Sequence, residues 1–256
     1  MNLIGTEFED GVLTVTLRDE ENRNALSAEL TSELSQTLDE AESNSEVRVI
    51  VLTNSGRVFC AGADLSERSS RKKSTSQTKP VDPSEIFSRF RKSSKPYIGK
   101  ITGHCVAGGM GIAAAMDISI AIEEAKFGFT EVRIGVAPAM ISVLCLPKMR
   151  SAEASEAFLR GNRFSASEAA RMGLINAAVP ANEIDSAVQE VVSDIKAGGP
   201  EAIATAKQLI LRVPQMQLDE AFNWTSELSS NLFRSEEAQE GMKAYLDKRP
   251  PSWMNE

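Results

Sequence analysis

The chain has little of what several large function classes require. One histidine in 256 residues rules out a histidine-rich metal site or a histidine cluster. The three cysteines, Cys60, Cys105 and Cys145, stand in apolar surroundings without metal-ligand spacing, so they read as free buried thiols of a reducing cytoplasm. Positive charge is in deficit, with 28 Lys and Arg against 36 Asp and Glu and a net charge of −8. That balance disfavours broad binding to nucleic acid or to an anionic membrane. No apolar run is long enough to span a bilayer. The opening residues, MNLIGTEFEDG, lack the basic-then-apolar pattern of a signal peptide. There is no Walker-type GK[ST], the GGMG run does not fit the dinucleotide spacing, and no tandem repeat recurs at solenoid periods. Ser142 and Cys145 have no base beside them in sequence, so nucleophilic catalysis finds no support.

What is present alternates between strand and helix signals. Phe8 to Arg18 reads as a hairpin turning on Asp10-Gly11. Ser27 is placed to cap a helix carrying Leu26, Leu30, Leu34, Leu38 and Ala41 at helical spacing. Val47 to Thr53 is a continuous β-branched run, as in a strand covered on both faces. Residues 66–85, rich in Ser, Lys and Arg, read as a mobile loop. Their cations Arg68, Arg71, Lys72, Lys73 and Lys79 form a solvated face or, on a second reading, meet ligand phosphates. Ile86 to Phe90 reads as a short helix. Tyr97 to Thr102 reads as a strand that enters a glycine turn and leaves as the alanine-rich helix around residues 108–116. Ile118 to Ile122 is another strand, and residues 126–140 mix strand and loop character. Beyond about residue 140 the strand signal disappears, and six helices follow: Ser151 to Arg160, Ser165 to Met172, Asn182 to Lys196, Pro200 to Arg212, Leu218 to Leu232 and Glu236 to Asp247. Ser165 and Glu168 fit a capping box. The class is α/β, with a β-rich front and a helical rear.

Three segments bear chemistry: FCAGADL at 59–65, GHCVAGGMG at 103–111 and FGFTEVRIG at 127–135. A glycine turn at a helix start leaves backbone N–H groups that stabilise negative charge, whether of a phosphate or of an enolate-type oxygen. Together with NRNALS, RFSASEAARMGLIN at 163–176 and the ending EGMKAYLDKRPPSW, the ordered set resembles the enoyl-CoA hydratase/isomerase, or crotonase, superfamily over almost the whole chain.

The resemblance implies the crotonase (ClpP-like) fold of repeated ββα units, with a spiral core over residues 1–195 and a C-terminal helical trimerisation region over 196–256. It implies a homotrimer, or two such trimers stacked. An acyl-CoA thioester is then the substrate, with no cofactor. Carried over by position, the oxyanion donors are the backbone N–H groups of Ala63 and Gly108, and the ligand is bound by Ala61, Gly62, Ala63, Asp64, Leu65, Ser66, Gly108, Gly109 and Gly111. Residues 63–66 run along the pantetheine. Phe233 and Lys248 of a neighbouring subunit approach the nucleotide, and Leu228, Leu232, Met242 and Leu246 supply trimer contacts. Small residues at Ala61, Gly62, Ala63, Gly108 and Gly109 let the backbone reach a ligand closely.

In the two-glutamate hydratases of the family, one carboxylate follows the second oxyanion turn by three residues. Here Gly111 holds that place, and Glu131 matches the other. Glu131 reads as a catalytic carboxylate whose pKa rises in a largely apolar pocket, against the alternative of a surface glutamate paired with Arg133. His104 reads as a packing or hydrogen-bonding residue, Asp64 as ordering its loop through backbone hydrogen bonds, and Asp117 as a turn or capping residue. Pro138 is followed by Ala139, Met140, Ile141 and Ser142, bulkier than the glycine-rich loop of many two-glutamate members, which implies a pocket of different shape. The resemblance to the single-glutamate branch points to an enoyl-CoA hydratase of fatty-acid or related acyl-CoA metabolism. A Δ3-Δ2-enoyl-CoA isomerase using Glu131 as a proton shuttle, and an acyl-CoA-binding member with little catalysis, stay open beside it.

Overall fold

A computed structural model describes residues 2–69 and 81–254. The hairpin forms as its Asp-Gly signal predicts: β1 (Ile4–Glu9) and β2 (Val12–Leu17) pair antiparallel, with Asp10 and Gly11 both at positive φ in the turn. Ser27 accepts a hydrogen bond from Leu30 N–H and so caps α1 (Ala28–Ser43), which buries Leu30, Leu34, Leu38 and Ala41. Fully buried leucines of this kind each contribute about 2 kcal/mol of hydrophobic stabilisation. The next strand, β3 (Val49–Asn54), is buried at every position, which is why its sequence shows no alternation.

The chain then alternates between two sheets. A short β4 (Val58–Cys60) leads to α2 (Leu65–Ser69) and, after residues outside the described set, to α3 (Pro83–Lys92). Next come β5 (Tyr97–Ile101), β6 (His104–Val106), α4 (Gly108–Ala115), β7 (Ile118–Ile122) and β8 (Lys126–Gly128). A 3-10 turn at Thr130–Ile134 and α5 (Ala139–Cys145) follow. Beyond them lie α6 (Ser151–Arg160), β9 (Phe164–Ser165), α7 (Ala166–Arg171), β10 (Ala177–Val179) and α8 (Ile184–Ala197). The rear is α9 (Pro200–Arg212), α10 (Leu218–Leu232) and α11 (Glu236–Asp247). One sheet has the order β1-β2-β3-β5-β7-β10, parallel except for its first pair, and the other β4-β6-β8-β9. The main core lies between these layers and helices α1, α3 and α4, and a second cluster packs α8 on the opposite face of the larger sheet.

The structure corrects several expectations. Strand β6 intervenes between β5 and the alanine-rich helix, and β9 and β10 continue the two sheets past residue 140. These strands have two or three residues, too few to show a period; they exist because a paired neighbour supplies their hydrogen bonds. Ser66–Ser69 are helical rather than loop, since Asp64 accepts from the N–H groups of Ser66 and Glu67 and starts the turn. Of the loop cations, Arg71, Lys72, Lys73 and Lys79 lie outside the described residues. Gly198 and Gly199 separate α8 from α9. Among the described residues no helix is long and apolar enough to cross a membrane.

One buried clasp ties the rear to the front. Lys207 on α9 donates to Asp117 Oδ2 (2.7 Å) and to the carbonyls of Lys95 (2.6 Å) and Phe90 (3.2 Å), while Asp117 also accepts Tyr97 N–H. Burial pushes the Lys207 ammonium toward its neutral form, and Asp117 opposes that shift. Asp117 is therefore an ion-pair partner as well as the turn residue expected. Lys207→Ala leaves a carboxylate without its counter-charge, and is expected to lower unfolding free energy by about 3 kcal/mol, read from the urea midpoint at constant slope.

Candidate active site

The carboxyl ends of β4, β6 and β8 converge on one side of the smaller sheet, and each delivers one of the three chemistry-bearing segments. They border a cleft of about 1270 Å3. At the end of β4, Gly62 adopts φ +88°, and a Cβ there would sit 2.7 Å from both Gly108 N and Ala107 Cβ. Only glycine fits this turn. Leu26 N–H donates to Gly62 O (2.7 Å) in an isolated parallel bridge with Ala63, which turns the N–H of Ala63 itself away from Leu26. At the end of β6, Ala107 is held at φ 49°, ψ −126°, and Gly108 opens α4, so its N–H has no acceptor one turn back. Among the described residues neither Ala63 N–H nor Gly108 N–H has a protein acceptor. A Cβ on Gly108 would lie 3.2 Å from Gly62 Cα and 3.6 Å from Ala63 N, so the two peptide groups are immediate neighbours.

The loop carrying the first donor is fixed from both sides. Asp64 accepts from Ser66 N–H (2.8 Å), the Ser66 hydroxyl (2.6 Å) and Asn22 Nδ2 (2.8 Å). Burial pushes its carboxyl up, but these hydrogen bonds outweigh that and hold it below the usual range. This is the loop-ordering role expected of Asp64, with Asn22 as a partner that sequence reading did not single out. Beneath the donors, Cys60 and Cys105 are register partners on β4 and β6, and the Cys60 sulfur accepts Gly62 N–H at 3.4 Å. Cys60, Cys105 and Cys145 are all free and buried. Burial pushes Cys60 and Cys145 up to about 12 and Cys105 upward as well, so none is a nucleophile at neutral pH.

Glu131 lies in the 3-10 turn after β8 and lines the cleft. Its Oε2 is buried without a hydrogen-bond partner, and burial raises its pKa above the ordinary glutamate value. The alternative pairing with Arg133 is not realised: Arg133 donates to the Arg160 carbonyl at 2.9 Å. The raised value has a stability consequence. Burial favours the protonated form, so the folded state keeps this proton to higher pH than the unfolded chain. The ionised carboxylate then costs stability as pH rises past the ordinary value, and the cost is complete above the raised one. Glu131→Gln is expected to unfold at a higher temperature than the parent at about pH 8, with the gain shrinking toward about pH 4. An equal difference at the two pH values would show that ionisation at this site costs nothing.

His104 also faces the cleft, and its Nδ1 accepts Lys126 N–H at 3.2 Å. Burial, then Arg163, Arg57 and Lys126, push its pKa down, so it is a neutral hydrogen-bonding residue, as expected. Ala61, Ala63, Asp64, Leu65, Ser66 and Gly108 line the cleft. Gly62, Gly109 and Gly111 do not. Gly62 shapes the turn, and Gly109 is buried against the Cys60 carbonyl, 2.5 Å from where its Cβ would stand. Gly111 is buried beneath Ile141 and Phe87, whose Cγ2 and Cζ would be 2.6 and 2.9 Å from a Cβ. Phe87 and Ile141 occupy the wall at this point. The apolar character of residues 139–142 signalled Ile141 in part, but Phe87 reaches the site from the segment that read only as a short helix. Among the described residues no group of three metal-binding side chains assembles.

The family model described as enoyl-CoA hydratase/isomerase matches residues 7–256. A short-chain-enoyl-CoA hydratase of Clostridium acetobutylicum is 30% identical over 251 residues, covering 97% of this chain and 96% of that protein. An enoyl-CoA hydratase of Mycobacterium tuberculosis is 32% identical over 254 residues, with coverage of 95% and 93%. Among solved structures, the enoyl-CoA hydratase from Bacillus anthracis superposes with a TM-score of 0.89 at 28% identity, over 99% of this chain and 100% of that one.

Proposed function

The chain belongs to the enoyl-CoA hydratase/isomerase family, and on that premise we propose that it is an enoyl-CoA hydratase that adds water across a 2-enoyl-CoA double bond. The observation that carries this reading is that one cleft is lined by two residues with unclaimed main-chain N–H groups, Ala63 and Gly108, and by Glu131, whose buried carboxylate oxygen has no partner. The thioester carbonyl oxygen accepts from Ala63 and Gly108 N–H. Glu131 accepts a hydrogen bond from water, whose oxygen attacks C3 as the double-bond electrons move toward the carbonyl. The two N–H groups stabilise the enolate oxygen, a donor of this kind being worth roughly 3 kcal/mol. Glu131 takes the proton released by the water and delivers it to C2, leaving a hydroxyl on C3 and a hydrogen on C2. Coenzyme A is the handle of the substrate, and no cofactor takes part.

Gly111 favours one second reading. The place of a second carboxylate is filled by Phe87 and Ile141, and a double-bond shift needs only one base. In that reaction Glu131 removes a proton from C2 of a 3-enoyl-CoA and returns it at C4, with the dienolate oxygen held by the same donors. The test is to supply purified protein with a short 2-enoyl-CoA and, separately, a 3-enoyl-CoA, and to identify products by mass and chromatography. Gain of one water supports the hydratase, and a mass-neutral shift supports the isomerase. Acyl-CoA binding without either product assigns the chain to a binding role. The exposed apolar residues of the rear helices, among them Phe222, Phe233, Tyr245 and Leu246, support a homotrimer, and three free buried thiols support a cytoplasmic setting.

A further inference from the structure

The cleft is chemically polarised about the paired N–H groups. Arg57 and His104 stand at the starting ends of β4 and β6, Arg163 just before β9, and Arg23 beside them on the loop that meets β4, where Ala61 N–H donates to its carbonyl. All four face the cleft. Among the described residues none of the three arginines is in an ion pair; Glu20 and Glu21 line the same cleft, so three guanidiniums against two carboxylates leave this end with a modest positive surplus for phosphates. Beyond the donors the wall is instead Phe87, Pro138, Met140 and Ile141. A coenzyme A thioester seated with its carbonyl on Ala63 and Gly108 therefore points its nucleotide toward the arginines and its acyl group toward α3 and α5.

That acyl end is closed by packing. Phe87 and Ile141 are 4% and 3% exposed, and both rest on Gly111, with the ring tip of Phe87 and Cγ2 of Ile141 occupying the space a Cβ would need. Behind them Met110, Ala114, Leu144 and Cys145 continue the core. Resting on the enoyl-CoA reading above, we propose that Phe87 and Ile141 form the floor of the acyl pocket and restrict the enzyme to short enoyl thioesters. Gly111 is then the seat of this floor: any side chain there would dislodge the two residues that set the length limit. A packed apolar floor discriminates well, because each methylene that does not fit costs about tenfold or more.

The experiment is a series of 2-enoyl-CoA substrates from four to ten carbons, with saturated acyl-CoAs of the same lengths for binding. Wild-type kcat/KM is expected to fall at least about tenfold from four carbons to ten. In Phe87→Ala the ten-to-four ratio is expected to rise by at least about tenfold, and in Phe87→Leu, which loses only the ring tip, by an intermediate factor. Phe87→Leu keeps the test open should the alanine variant fold poorly. A flat wild-type profile in both turnover and binding, or a loss in both variants that is equal at every length, overturns the proposal. If no length is turned over but binding shows the cut-off and the variants relax it, the floor stands and the hydratase reading falls.

Discussion

Glu131→Gln is expected to lower kcat by about 10²- to 10⁴-fold, the usual contribution of a positioned general acid–base group, while saturated acyl-CoA still binds. The expectation follows from position and state together. Glu131 lines the cleft, its Oε2 is buried without a partner in the fold, and burial has moved its pKa upward, toward the range where one group can both take and return a proton. Gln preserves shape and removes only the proton chemistry, so the loss should fall on kcat and leave acyl-CoA affinity in place. Glu131→Asp retains the chemistry but draws the carboxylate back by one methylene and should lose less. Steady-state rates on the active substrate, with saturated acyl-CoA titrated in parallel, read both quantities; full turnover in the glutamine variant would sink the proposed mechanism.

Gly62→Ala is expected to cut kcat by about 10²- to 10³-fold and also to destabilise the fold. Its φ of +88° alone costs an alanine about 1–2 kcal/mol, and the added Cβ would be 2.7 Å from Gly108 N. Something must move, and what moves is one of the two donors. Gly11→Ala separates the contributions, because Gly11 has φ +74° in the β1–β2 turn outside the cleft, with Arg48 Cγ, 3.2 Å from its Cβ, as the nearest atom. It should show the conformational cost with little change in kcat. Urea unfolding and turnover on both variants decide the matter: equal kcat losses would mean that the Gly62 turn is merely a turn.

Local chemistry made much of the architecture legible. Asp10-Gly11, the Ser27 cap and the Ser165–Glu168 capping box act within a few residues, and all are found in the structure. The rear helices begin and end where sequence places them, at Pro200–Arg212, Leu218–Leu232 and Glu236–Asp247, because helices carry their period within themselves. Strands β6, β9 and β10 were not legible, since their hydrogen bonds come from partners distant in sequence. The Lys207–Asp117 clasp joins residues 90 apart and has no local signature. At the site, the segments holding Ala63, Gly108 and Glu131 stood out by their resemblance to the family's ordered motifs. The Phe87 ring over Gly111 did not, because a contact between two helices is decided by packing in three dimensions.

The two donor peptides belong to strand ends, and this changes what inheritance must preserve. A catalytic side chain is kept by keeping a letter. An amide N–H is offered by every amino acid except proline, so under the proposed mechanism what lineages must conserve at Ala63 and Gly108 is a backbone path. The letters that matter most then lie beside the donors: Gly62, whose turn admits no side chain, and Cys60, whose sulfur receives its N–H. On the proposed mechanism, a chain sharing fewer than a third of these residues keeps the same chemistry provided it traces the same few ångströms of main chain.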